Sequence, residues 1–263
     1  LFKNSGRSGY LGAGFNVFAD RAGTARLGTT QATFSFSGIL PIGDFQNFSV
    51  GLQSGIAQRS ASLNKLSWGN QFTGDGFDQS IASNEPASAS FIYPDIAAGV
   101  YYDFNHDNNA MLGEDVTKAN AGIAVFHPHS PRQKFLGTGQ KMNPKMVFHA
   151  SAYKDFNDLN FALIPSFAYF MQGAQIEMNM GMRFRYRIHE GTKWSGVFKE
   201  TAFSVACQYR LKDAVIPAIF FEISNYLFSF TYDYPISKLQ KTGMMGGFEI
   251  SIIYSKLDGG LRK

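Results

Sequence analysis

Between residues 176 and 187 the chain alternates without a break. Ile176, Met178, Met180, Met182, Phe184 and Tyr186 fall on one side, and Glu177, Asn179, Gly181, Arg183, Arg185 and Arg187 on the other. A period of two puts successive side chains on opposite faces of a β-strand. The same alternation, less pure, runs through residues 11–17, 31–37, 48–53, 96–103, 119–126, 146–154, 159–169, 201–211, 215–224, 226–233 and 248–254. The pattern predicts an all-β fold with about twelve strands in this sequence.

Alternation alone leaves two solvents open. In a soluble β-sandwich the apolar face packs on a core, whereas in an outer-membrane β-barrel it meets lipid and the polar face lines a wet lumen. Three arginines on one face of residues 176–187, against methionines and aromatics on the other, fit the barrel, with Tyr186 placed where an interfacial girdle would sit. No window is apolar for 18 residues, so a membrane helix is excluded and a closed barrel is the only other way across a bilayer. Connections support the same choice. They are tight at Pro41-Ile42-Gly43-Asp44, Asp155-Phe156-Asn157-Asp158, Lys212-Asp213 and Ser224-Asn225, and long at residues 60–91 and 127–145. Two break the pattern: residues 104–118 are long where a short turn is due, and Lys212-Asp213 is short where a long loop is due. Pro165 and Pro217, both on apolar faces, cost a ladder hydrogen bond in either fold and decide nothing. The soluble sandwich remains an alternative at this point.

Composition narrows the function classes. The chain of 263 residues fits a single barrel domain over 1–263 and is rich in Gly (27), Phe (26) and Tyr (12). Twenty-four Lys+Arg against 20 Asp+Glu leave a net +4, too mild and too dispersed to suggest nucleic acid, and no nucleic-acid partner is expected. Cys207 is the single cysteine, so no intrachain disulfide forms, and it shares the lipid side with Phe203, Val205 and Tyr209. The sequence opens on Leu1-Phe2-Lys3, and the expectation is that a signal and a first strand or two precede it, bringing the total to about fourteen antiparallel strands.

Several stretches are then specific. "GFNVFADRAGTARLGTTQATFSFSGILPIG" (14–43), "GLQSGIAQRSASLNKLSWGNQF" (51–72), "LIPSFAYFMQGAQIEMNMGMRFRY" (163–186), "YRLKDAVIP" (209–217), "FTYDYPISKL" (230–239) and the closing Glu249-Ile250-Ser251 strand occur in order. Together they resemble the PorP/SprF family, outer-membrane proteins of the type IX secretion and gliding machinery of Bacteroidetes. Two departures are visible: residues 103–118 are longer than the family pattern, and 255–263 follow the last strand. The resemblance implies an outer-membrane location and a non-enzymatic role: receiving or anchoring a secreted surface protein, a large adhesin or its C-terminal domain. It equally implies partners among other type IX secretion or gliding subunits. A structural component contacting periplasmic subunits through the turns at Asp44, Asp155 and Lys212, and a passive porin, are the alternatives.

Candidate sites are read from residue type. Arg183, Arg185, Arg187 and Arg210 are expected in the lumen with Glu177, Glu222, Asp233 and Glu249, as a structural ion-pair network or as a surface that grips a partner. The long loop holds Trp68, Asn70, Phe72, Asp75 and Phe77, which with Arg132 of the second long loop form a candidate partner site, since aromatic and arginine anchors dominate interfaces. Asp103, Asn105, Asp107, Asn109 and Glu114 have the oxygen spacing of a calcium loop, with Asn108 where that loop has glycine and strands in place of helices at the flanks; a polar turn competes with it. Calcium is therefore a weak candidate, and no other cofactor is expected. His127-Pro128-His129 lacks a third ligand at zinc spacing. The serines lie on strand faces with no His–Asp arrangement nearby in sequence, so no catalytic residue is assigned.

Overall fold

A computed structural model describes residues 9–63, 66–84, 88–106, 116–135, 138–189, 201–237 and 246–255. It is all-β. The strands are β1 (Tyr10–Ala22), β2 (Leu27–Pro41), β3 (Gln46–Ser62), β4 (Ser88–His106), β5 (Thr117–Phe126), β6 (Arg132–Phe135), β7 (Thr138–Lys141), β8 (Lys145–Phe156), β9 (Phe161–Gln172), β10 (Gln175–His189), β11 (Thr201–Arg210), β12 (Ala214–Ile223), β13 (Tyr226–Pro235) and β14 (Gly247–Tyr254). Twelve of them pair in sequence order into one antiparallel sheet, with β1 and β14 as its edges among the described residues. The sheet thus has as many strands as there are alternating segments. Strands β6 and β7 form a separate hairpin inside the stretch expected to be a plain loop. The loop expected over 60–91 is shorter, because β3 runs to Ser62 and β4 begins at Ser88.

The chain divides into two compact units. The first comprises Leu1–Leu40, Ser49–Val100 and Ala124–Met146. In it β1 and β2 pair as a hairpin, with Phe15 opposite Phe34 and ring centroids 4.7 Å apart. Gly55 on β3 lets two backbones close up, since a Cβ there would run into the carbonyl oxygen of Ala32. The second unit comprises Pro41–Phe48, Tyr101–Ile123 and Val147–Lys263. Each of its strands β9 to β14 pairs with the next, with an irregularity between Arg187 and His189 and a gap in the β12–β13 pairing at Ile216 and Pro217. Lys212 and Ser224 adopt left-handed backbone in the tight turns that close β11–β12 and β12–β13.

Burial is inverted relative to a water-soluble sheet. On β10, Ile176 is 62% exposed and Tyr186 53%, whereas Arg185 on the opposite face is only 8% exposed. Phe248, Ile250, Ile252 and Tyr254 of β14 are exposed as well. The buried residues are mostly small (Ala57, Ala61, Ala97, Ala162, Ala202, Ala214) or polar (Thr33, Asp95, Asp155, Ser204). A soluble sandwich would bury the large apolar row, so the arrangement answers the solvent question in favour of lipid. Strands β11, β12 and β13 have ten residues each, the length that crosses a bilayer when tilted. Tyr226 packs on Tyr254 at one end of β13, and Tyr232 and Tyr234 mark the other, as aromatic girdles do. On β3 the exposed apolar row of Val50, Leu52 and Ile56 gives way to Gln58, whose amide donates to Ser90 Oγ at 2.9 Å. No helix among the described residues is long and apolar enough to cross a membrane.

Candidate functional site

On β10 and its neighbours the polar face is built as long side chains over a floor of small ones. Register places Arg185 opposite Ser204, Arg183 opposite Ala206 and Arg187 opposite Ala202 on β11. Ala202 lies in turn opposite Glu222 on β12. Glu222 therefore sits two strands from the arginines, roughly 9–10 Å across. Only long side chains lying flat over β11 can close that gap, and they do so because Ala202 and Ser204 beneath them are small and fully buried. Arg185 donates from Nε at 2.8 Å and from Nη2 at 2.6 Å to Glu222 Oε2, while Arg183 Nη2 pairs with Oε1. The guanidinium of Arg183 also lies 4.2 Å from the centre of the Phe220 ring, a cation–π contact.

The same device recurs twice in this unit. Arg187 crosses β9 to pair with the buried Asp155 of β8. At the opposite end of the strands Arg210 donates to Asp213 at 2.9 Å and Asp233 at 2.7 Å, with Glu177 at 4.0 Å. Of the expected lumen charges, Arg183, Arg185 and Glu222 come together, as do Arg210, Asp233 and Glu177. Glu249, exposed on β14 opposite Thr231, joins no ion pair among the described residues. Asp155 was not foreseen as the partner of Arg187, and nothing in the spacing of one strand marks a partner two strands away.

In the first unit a second polar network was missed. Asp95 on β4 is buried; one carboxylate oxygen accepts from the Gln31 amide and the other lies 2.5 Å from His127 Nδ1. His127 N–H donates to the Ile96 carbonyl at 2.9 Å, His129 Nε2 lies 2.9 Å from the Pro94 carbonyl, and Arg59 donates to Gln133 at 3.2 Å. Both histidines thus fasten the start of the 127–144 connection to strand β4. The available signal was Asp95 itself, a carboxylate on the same face as Tyr93 in an apolar strand.

The loop after β3 is folded upon itself. Asn70 donates to the Ala82 and Ser83 carbonyls, and the buried Gln71 donates to the Ile81 carbonyl at 2.8 Å and accepts from Trp68 N–H. Thr73 N–H meets the Gly76 carbonyl at 2.9 Å around Gly74, whose positive φ makes the turn. Phe72 and Phe77 pair across this small hairpin as a β-bridge, and both are exposed, at 61% and 47%. Asp75 is at the exposed tip. Asp78 accepts from the Ser80 hydroxyl at 2.7 Å and backbone N–H at 2.8 Å, and these hold its carboxyl below the usual 3.8. Arg132 is exposed at the start of β6, a strand that pairs with β7 and not with this hairpin. Asp103 and Asn105 lie at the end of β4, while Asp107, Asn109 and Glu114 fall outside the described residues. No group of three metal-ligating side chains occurs among the described residues.

The family model described as type IX secretion system membrane protein PorP/SprF matches residues 2–254. No curated protein matches the chain significantly.

Proposed function

From the premise that this chain belongs to the PorP/SprF family of type IX secretion system membrane proteins, we propose that it is a non-enzymatic outer-membrane protein that anchors a secreted surface protein, an adhesin or its C-terminal domain, at the cell surface. Membership makes other components of the secretion system its partners, and the anchor reading names one kind of partner more finely. The observation that carries it is the loop over 66–84, which uses its amide side chains to hold itself in one shape and leaves Phe72 and Phe77 uncovered. Rigid, exposed aromatics lose little entropy on docking and are the usual anchors of an interface.

The rival in which the turns at Asp44, Asp155 and Lys212 form one contact surface for periplasmic subunits fits less well. Asp155 ends β8 and Lys212 follows β11, which in the antiparallel order are opposite ends of the strands. A passive porin would need a polar face free to conduct, whereas Arg183, Arg185, Arg187 and Arg210 lie along the sheet in ion pairs. The test is affinity purification of the tagged protein from its native outer membrane, with bound chains identified by mass. A large secreted protein recovered in near-equal amount, and lost when residues 66–84 are shortened, is the expected result. Recovery of periplasmic secretion subunits alone would overturn it.

A further inference from the structure

The hairpin at 72–77 has a chemical signature beyond its exposed rings. Among the described residues 66–84 the only charged side chains are Asp75 and Asp78, both exposed. Asp75 stands at the tip between Phe72 and Phe77, and Asp78 follows Phe77 directly. The Ser80 hydroxyl and amide hold the Asp78 carboxyl below its ordinary 3.8. The polar groups that could have diluted this pattern, Asn70 and Gln71, are turned to the loop's own carbonyls. The hairpin thus exposes a pair of aromatic rings, with Asp75 at its tip and Asp78, turned to Ser80, directly after Phe77.

We propose that this hairpin binds a cationic, apolar polypeptide segment, one in which leucine- or valine-like side chains alternate with lysine or arginine. The rings bury the apolar side chains, and the negative charge of Asp75 and Asp78 attracts the cations. Ring faces also attract ammonium and guanidinium groups, which reinforces the same choice. Anionic lipid headgroups and acidic segments are disfavoured by the two carboxylates. The proposal rests on the anchor reading and specifies the chemistry of its partner.

The experiment uses the full chain in lipid nanodiscs and three labelled strand-length peptides, alternating Leu–Lys, Leu–Glu and Ser–Lys, with binding followed by fluorescence anisotropy. The Leu–Lys peptide is expected to bind and the other two not. Phe72→Ala with Phe77→Ala should weaken it by about tenfold or more, as loss of paired anchors does. Asp75→Asn should weaken it several-fold and flatten its salt dependence. That variant is informative even if the double alanine disturbs the hairpin, because Asp75 makes no side-chain hydrogen bond among the described residues. Equal binding of Leu–Glu and Leu–Lys, or an Asp75→Asn protein with unchanged affinity and salt dependence, would overturn the proposal. If the surface protein is captured from the native membrane and lost on shortening the loop while these peptides do not discriminate, the anchor stands and the chemistry assigned to it falls.

Discussion

Glu222 and Asp95 are both carboxylates held on a strand face, one in each unit, and their partners differ in kind. Glu222 is shared between two guanidiniums that reach across a neighbouring strand. Asp95 is met by an amide and an imidazole, and serves to fasten a connection. The first is a charge network shared by three side chains; the second ties a buried carboxylate to an amide on β2 and to an imidazole at the start of a connection. The difference shows that buried polarity in this sheet has two uses, bracing the strands against one another and positioning the connections between them.

The comparison is broken most directly at Glu222. Glu222→Leu removes the carboxylate that Arg183 and Arg185 share, and should cost about 3–5 kcal/mol. Urea unfolding from lipid vesicles would show it as a lowered midpoint at unchanged slope. Next comes the floor. Ala202→Leu puts a branched side chain where the arginines lie flat, and about 1–3 kcal/mol of overpacking is expected by the same measurement, in a variant that removes no charge. Asp95→Asn sharpens the contrast, because it keeps the shape but turns an amide donor toward either Gln31 or His127. A cost of about 1–3 kcal/mol is expected. Its distinctive sign is local, faster amide exchange at His127 and Ser130 while β10 to β13 are unaffected. Smallest is Asp78, a carboxylate in open water. Its folded form titrates below the ordinary 3.8, so its contribution is complete above that value and is lost as pH falls from there through the lowered folded value. Loosening of the 78–80 turn confined to that acid window, seen by NMR at Ser80, is the expected outcome.

Much of this was legible. Each alternating segment became a strand, because period-two patterning survives whichever solvent lies outside. The row Arg183, Arg185 and Arg187 could be placed on one face for the same reason. Pairings were not legible where they skip a strand, as Arg187 with Asp155 does, since register is set by backbone contacts that no local pattern records. The hairpin β6–β7 was missed because four-residue polar strands carry no apolar alternation. The hairpin at 72–77 was read only as part of a long loop, although Phe-Thr-Gly-Asp-Gly-Phe sets a glycine-flanked aspartate between two aromatics.

Strands β3 and β4 have 17 and 19 residues, beyond the roughly 9–11 that a bilayer crossing requires. Both lead into the loop that carries Phe72 and Phe77. A tether attached there pulls along the axes of two long strands, so the load is borne in shear by many ladder hydrogen bonds at once. Peeling, which breaks such bonds one after another, is the weaker mode, and the geometry avoids it. For any partner held at that loop under load, the extra length of β3 and β4 acts as a mechanical root, and trimming it should lower the rupture force without changing resting affinity.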